Sequence, residues 1–293
     1  MDKKGIFTGG SFWDGRATGE RLGNPAADQA LGPFLNPKEQ ALPTAADLVT
    51  EVCASSYGSL FRQVWGATIC DPAQVGAAYD AIGLSVAAYE ASAEVNAFTS
   101  RYDYSLRGQA KLTQQEKLGF ALFQGKGQCR SCHVSTGQKA LFTDYTFDNL
   151  GIPKNPENPV YTYNPGFVDM GLGGYLASRQ DYAGYADANK GLFKVPTLRN
   201  VDLRPSAAFV KAYGHNGYFK SLEGIVHFYN TRDVLATCPG DYTEAQALAA
   251  NCWPSPEYAA NLNTSELGDL GLTPAEEAAL VAFLKTLNDG YVP

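Results

Sequence analysis

The stretch GQCRSCHV, residues 127–134, constrains this chain more than any other, because it contains Cys129-x-x-Cys132-His133. Two thiols about one turn apart can add across the vinyl groups of a single porphyrin, and the adjacent imidazole then projects beneath the iron. The string therefore reads as a covalent haem anchor, with Cys129 and Cys132 as attachment points and His133 as the proximal ligand. Zinc would need further Cys or His nearby, yet the other histidines are only His215 and His227. A redox-active C-x-x-C would need a βαβ context, which the surrounding pattern lacks.

The pattern around the anchor is helical. Thr113, with Glu116 three residues on, opens a helix that runs to the haem string. The last helix opens with Thr273, Pro274 and Glu276, and its Leu280, Phe283, Leu284 and Leu287 fall on one apolar stripe. A helix leading into C-x-x-C-H and a closing amphipathic helix are the outline of a cytochrome c domain. Upstream, residues 44–65 begin with Thr44 and Asp47 and continue in helical spacing, and the Ala-rich residues 73–92 also read as helix. Residues 96–108, NAFTSRYDYSLRG, are polar and turn-rich and read as a boundary between two units. Residues 137–220 carry many Gly, Pro, Asn and Tyr and read as ordered loop, because the aromatic side chains need a surface to pack on. The expected fold is mainly α, built of cytochrome c-like domains with long ordered loops and little or no β-structure.

Composition narrows the setting. With 293 residues, 45% hydrophobic and 18% charged, the chain can bury an ample core. Its formal charge is −7 and it has no block of Lys or Arg, which argues against nucleic acid or an anionic membrane as partner. No apolar run is long enough to span a bilayer, and the N-terminus lacks the apolar core of a secretory signal. Covalent haem attachment normally happens outside the cytoplasm, so either a signal has been removed or the chain begins inside something larger. Of six cysteines, the four outside the haem string fall as two local pairs, Cys53 with Cys70 and Cys238 with Cys252. Disulfides at these pairs suit an extracytoplasmic, periplasmic protein; four buried thiols are the alternative.

The second axial ligand is open at this level. Mono-haem cytochromes c usually use Met, and the choices are Met1 and Met170, the latter far enough after His133 to wrap around. In GHNGYFKSLEGIVHFYN, residues 214–230, Leu222, Ile225, Val226 and Tyr229 share helical spacing, so Tyr229 faces inward with them while His227 points elsewhere.

Six segments in order, FWDGRA (12–17), QALGPFLNPKEQA (29–41), GKGQCRSCH (125–133), FDNLGIP (147–153), FKVPTLRNV (193–201) and GHNGYFKSLEGIV (214–226), resemble the bacterial di-haem cytochrome c peroxidase/MauG superfamily. The resemblance runs nearly end to end. It implies two cytochrome c-like domains with one haem c each, the N-terminal haem reacting with hydrogen peroxide and the C-terminal one storing or relaying oxidising equivalents. The single C-x-x-C-H here matches the C-terminal haem. The family's first one lies upstream of FWDGRA, which here begins at residue 12, so the chain looks like a member lacking its first haem-binding segment. Residues 1–105 are then expected to be the remainder of the N-terminal, peroxidatic domain and residues 106–293 the C-terminal haem domain.

The resemblance also implies site residues. Peroxidases of the family place a Met fourteen residues after the histidine of an HDG-like motif; here the motif is His215-Asn216-Gly217 and the matching position is Tyr229, as in MauG-like members. Tyr229 is thus the expected ligand opposite His133, with Met170 the alternative. Ferric iron should lower the pKa of a bound phenol well below ~10, and an anionic oxygen favours the more oxidised states of iron. Trp13 matches an electron-relay tryptophan, and Gln29 and Glu39 match polar residues on the distal side of the peroxidatic haem, where a carboxylate can move a proton during O–O cleavage. Arg199 is a candidate partner of a haem propionate, and His215 is expected to hydrogen-bond near the haem rather than to ligate it. An interdomain calcium site is implied, as are an electron donor (a small cytochrome, a copper protein or a substrate protein) and a possible homodimer. The competing functional reading is a mono-haem electron carrier without peroxidase activity.

Overall fold

The computed structural model describes residues 1–2, 5–206 and 208–293. The chain forms two compact units, one of residues Gly9–Ala97 and one of Met1–Thr8 with Phe98–Pro293.

The Gly9–Ala97 unit holds helices α1 (Pro25–Ala30), α2 (Gly32–Leu35), α3 (Ala45–Ala54), α4 (Gly58–Trp65) and α5 (Val75–Glu90). Thr44 and Asp47 cap α3 reciprocally, as their spacing requires. The helix expected over 44–65 is broken at Ser55–Tyr57, because the Ser55 hydroxyl donates back to the Val52 carbonyl and α4 restarts hard against α3. A Cβ at Gly58 would collide with the Cys53 carbonyl, so the close approach needs glycine. A Cys53–Cys70 disulfide ties the end of α3 to the segment before α5. α5 packs on α1 and α3 around Leu48, Val52, Phe61, Ala78 and Ile82, and the Tyr79 hydroxyl donates to the Leu31 carbonyl at 2.6 Å.

The other unit contains α6 (Arg101–Leu106), α7 (Gln114–Gln124), α8 (Val160–Tyr163), α9 (Gly171–Ala177), α10 (Leu222–Thr231), α11 (Glu244–Ala250) and α12 (Pro274–Lys285). Its strands are two residues long: β1 (Phe147–Asp148) pairs antiparallel with β2 (Phe193–Lys194), and β3 (Ala236–Thr237) pairs parallel with β4 (Cys252–Trp253). The mainly α expectation is met. α7 crosses α12 closely, with Gly119 at the crossing, where a Cβ would collide with the Ala279 carbonyl. Phe123, Phe142, Leu280, Phe283 and Leu287 form the core beneath that crossing. Capping boxes at Thr113/Glu116 and Thr273/Glu276 start the two helices. A second disulfide, Cys238–Cys252, joins the paired segments of β3 and β4.

The two units divide between Ala97 and Phe98, inside the 96–108 stretch read as a boundary. The stretch that looked polar and turn-rich is a capped helix, with Ser100 and Asp103 forming the box. Tyr102 is buried against Phe120, Phe142 and Phe283 and donates its amide to the Thr286 carbonyl, so α6 belongs to the core of the second unit. The long 137–220 segment is ordered as expected, and Tyr175 and Tyr182 pack on a small cluster of Leu172, Leu176 and Ala186. Among the described residues no helix is long and apolar enough to cross a membrane.

Candidate haem-attachment site

The anchor is shaped by the end of α7. The Gly127 amide returns to the Leu122 carbonyl, Gln128 takes a left-handed conformation, and a short 3-10 turn follows over Cys129–Ser131. The His133 amide donates to the Cys129 carbonyl at 2.9 Å, so two thiols and an imidazole leave one turn of chain. Cys129 and Cys132 are not bridged to each other. Burial pushes both thiols up to about 12, with the Glu266 and Asp148 carboxylates adding to the effect at Cys132. They are therefore held as S–H groups, the form that adds across a vinyl group.

The imidazole of His133 is oriented by the backbone. Its Nδ1 lies 2.7 Å from the Phe142 carbonyl, so Nδ1–H donates and Nε2 keeps its lone pair. Burial holds the His133 pKa below its ordinary value, which favours that neutral form. The Phe142 carbonyl is itself held in a strap: Arg199 Nε donates to the Ala140 carbonyl at 2.7 Å and Thr197 Oγ1 to the Leu141 carbonyl at 2.5 Å. Phe142 is fully buried at φ +55°, a left-handed conformation that aims its carbonyl at the ring. The VPTLRN segment thus fixes the His133 ring from behind.

Arg199 is not free for a propionate. Its Nη1 and Nη2 hold both oxygens of Asp103 at 2.7 and 2.9 Å, and its plane lies between the rings of Phe98 and Phe142. The sequence identified a guanidinium waiting for a carboxylate, but the carboxylate comes from the chain. Asp103 was hidden in a stretch read as a boundary.

Tyr229 sits on α10 one turn beyond Val226, while Leu222 and Val226 enter the core below. Burial raises its phenol pKa, and both thiols, Asp148 and Arg232 are its electrostatic neighbours. Among the described residues no side chain or carbonyl hydrogen-bonds its hydroxyl. His227 points away, with Nδ1 3.0 Å from Glu277. Met170 caps α9 beside the Leu172–Leu176 cluster, and its carbonyl accepts from Gly174 and Gly191. The donor set is thus two thiols, an imidazole nitrogen with a free lone pair and an unpartnered phenol, and it fits a covalently bound haem.

Beside Cys132 lies an acidic group the sequence did not disclose. Asp148, Glu266 and Cys132 offer ligand atoms within 4.8 Å of one another, and Asn263 donates to both carboxylates at 2.6 and 2.7 Å. Burial raises the Asp148 carboxyl. The group does not fit the expected calcium, a hard cation that takes oxygen ligands, because one of its three donors is a thiol.

His215 is buried, stacked on Phe193 at 3.5 Å between centroids, with Nε2 3.4 Å from Glu257 Oε2. The other three expected residues lie in the Gly9–Ala97 unit. Gln29 is in the last turn of α1, half-buried; Glu39, exposed after α2, accepts from Asn36 Nδ2 at 2.6 Å. Trp13 is 39% exposed at the tip of a tight turn closed by the Gly15 amide on the Phe12 carbonyl. The same unit has a cavity of about 730 Å³, lined mainly by apolar side chains including Phe34, Leu48, Val52, Phe61 and Val64.

Comparison with known proteins gives one answer. The family described as di-haem cytochrome c peroxidase matches residues 4–111. The chain is 34% identical to methylamine utilization protein MauG of Paracoccus denitrificans (strain Pd 1222), over 98% of its own length and 70% of that protein's. It is 28% identical to cytochrome-c peroxidase IdrP1 of Denitromonas iodatirespirans, over 94% of its length, and spans 64% of that relative. The crystal structure of the diheme peroxidase BthA from Burkholderia thailandensis E264 superposes with a TM-score of 0.73 at 30% identity, covering 97% of this chain and 67% of that one.

Proposed function

The chain belongs to the di-haem cytochrome c peroxidase/MauG family and is a haem oxidoreductase of the peroxidase type, and from that premise we propose the following division of labour. In the unit of Phe98–Pro293, Cys129 and Cys132 would attach haem c covalently, and His133 Nε2 and the Tyr229 oxygen would be the protein donors to its iron. Bound there, the haem would supply iron that stores or relays oxidising equivalents. Family membership disfavours the mono-haem carrier. The carrying observation is that the unpartnered Tyr229 phenol has both anchor thiols among its electrostatic neighbours.

The chain's own residues set the terms. Phe142 fixes the His133 tautomer, and the Ala140–Phe142 strap limits its rotation. Burial opposes ionisation of Tyr229, so the phenol gives up its proton only to a strong local positive charge. In the Gly9–Ala97 unit the Glu39 carboxylate would move a proton between the peroxide oxygens, Gln29 would offer hydrogen bonds beside it, and Trp13 would pass electrons. The overall balance is hydrogen peroxide, two electrons and two protons to two waters. The electrons come from a small cytochrome, a copper protein or a substrate protein, in the periplasm.

The test is to co-express the chain with haem-attachment machinery, then record haem content, optical spectrum and reduction potential. Covalent haem with a tyrosinate-ligated ferric spectrum and a low potential supports the assignment. A high-potential His/Met spectrum sinks it. Peroxide-dependent oxidation of a reduced small cytochrome tests the activity itself.

A further inference from the structure

Trp253 is the only indole of the Phe98–Pro293 unit, the other two tryptophans being Trp13 and Trp65. It is 3% exposed and held from several sides. The Cys238–Cys252 disulfide adjoins it, its carbonyl accepts from the Cys238 amide at 2.9 Å, and its Nε1–H donates to the Thr231 hydroxyl at 3.0 Å. A ring fixed this firmly reorganises little when its charge changes.

Its neighbours form a line of rings across α10. The Phe228 centroid is 6.4 Å from that of Tyr229 and 5.2 Å from that of Trp253. Beyond the indole comes His227, 5.9 Å away and 31% exposed. Closely packed rings thus lead from the unpartnered phenol of Tyr229, through Phe228 and Trp253, to the protein surface. The outer end carries a carboxylate: His227 Nδ1 lies 3.0 Å from Glu277, and Asn230 also donates to that group.

Chemistry singles out the indole on this line. A phenylalanine ring is too hard to oxidise to hold an electron vacancy, and can only conduct. A phenol is oxidised easily only when its proton has a base to go to. Tyr218, in the same cluster, fails that condition, because burial raises its phenol and its hydroxyl donates to the Tyr242 carbonyl. An indole can lose an electron and keep its N–H, as a radical cation. Here that N–H faces a hydroxyl rather than a base, and the Glu277 carboxylate stands one ring away to offset the positive charge.

We infer that Trp253 is a one-electron relay between the Tyr229 end of the haem-attachment site and the surface at His227. This rests on the peroxidase-type function and on Tyr229 as the ligand proposed above. Trp253 gives one electron inward and is left as a radical cation, with no bond made or broken and no proton moved. One electron from the small cytochrome, copper protein or substrate protein, entering at His227, restores it. Two such passages match the two electrons that one hydrogen peroxide takes up on becoming two waters.

The test uses the complete, haem-loaded protein and its W253F variant, which keeps a ring against Phe219 and Phe228 but cannot hold the vacancy. Each is mixed with peroxide in the absence of a donor, freeze-quenched and measured by EPR, with indole-deuterated tryptophan identifying the signal. Melting temperature, haem content and reduction potential are measured alongside, since a purely structural indole would move those and leave the radical signal alone. Expected is a tryptophanyl radical in the wild type that is lost in W253F, at unchanged haem content and potential. A wild type that consumes peroxide without that radical, or the same signal in both proteins, overturns the inference and leaves the peroxidase reading intact. Should W253F not fold, peptide mapping of the peroxide-treated wild type decides. Oxygen adducts on Trp253 support the relay, and an unmodified Trp253 overturns it. A wild type that leaves peroxide unreacted overturns both readings.

Discussion

Arg199 grips Asp103 through both of its terminal nitrogens, at 2.7 and 2.9 Å, with side-chain exposures of only 8% and 0%. The same guanidinium donates to the Ala140 carbonyl, so one side chain both staples α6 and tensions the strap behind His133. Removing one partner of a buried pair strands the other, at a cost of about 3–5 kcal/mol. Arg199→Ala and Asp103→Ala should each lower stability by about that much, and the double variant by less than their sum. Arg199→Lys should recover little, since an ammonium cannot span both oxygens. Denaturant titrations of all four proteins check this.

The pair also sets an acid limb. Burial alone would raise the Asp103 carboxyl, but Arg199 and Ser100 together hold it below its ordinary value. Its contribution is therefore fully present above the unfolded carboxyl value of ~3.9 and is lost as pH falls through the lower folded one. Asp103→Asn should be less stable near neutrality and should show a shallower loss of stability below pH ~4. Melting curves across that range decide, and parallel acid limbs in the two proteins would count against it.

With Tyr229 as the proposed ligand, Tyr229→Met exchanges an anionic oxygen for a thioether at a position whose electrostatic neighbours include both thiols. A neutral ligand stabilises reduced iron, so the potential should rise, within the roughly 0.8 V range that axial ligands span. The tyrosinate charge-transfer band should vanish while haem content holds. Spectroelectrochemical titration reads the change, and an unaltered potential means that Tyr229 is not the ligand.

Gly119 lets α7 and α12 touch backbone to backbone, and a Cβ there would meet the Ala279 carbonyl, which cannot rotate aside. Gly119→Ala gains helix propensity but must push the helices apart, an overpacking cost of about 1–3 kcal/mol. The variant should melt lower and retain less haem, because α7 delivers the anchor. A melting temperature at or above the parent's would show that the crossing relaxes freely.

Local signals were legible in the sequence wherever their cause is local. The C-x-x-C-H turn and the capping boxes at Thr113 and Thr273 follow from spacing of a few residues, and the structure has each. The two disulfides, read from proximity along the chain, are also present. What could not be read depends on partners far apart in sequence. Arg199 was matched to the wrong carboxylate because Asp103 lies ninety-six positions away. The acidic group of Asp148 and Glu266, and the Glu257 that faces His215, are assembled by loops with no periodic pattern to expose them. Helix α6 was missed for a related reason: Ser, Asp and Tyr look like turn residues until Tyr102 is seen buried.

Glu39 is the sharpest test of the peroxidase assignment, since its carboxylate is exposed and its one described hydrogen bond comes from Asn36. A surface carboxylate held only by a neighbour in its own turn contributes little to folding. Glu39→Gln keeps the shape and the Asn36 contact while removing the base. Proton transfer by a positioned group contributes typically 10²–10⁴-fold, so turnover of peroxide by the complete, haem-loaded protein should fall by about that factor. Melting temperature, haem content and the spectrum of the His133–Tyr229 site should not move. If steady-state peroxide turnover is unchanged in Glu39→Gln, Glu39 is only a solvated turn residue, and the proton must be carried by another group.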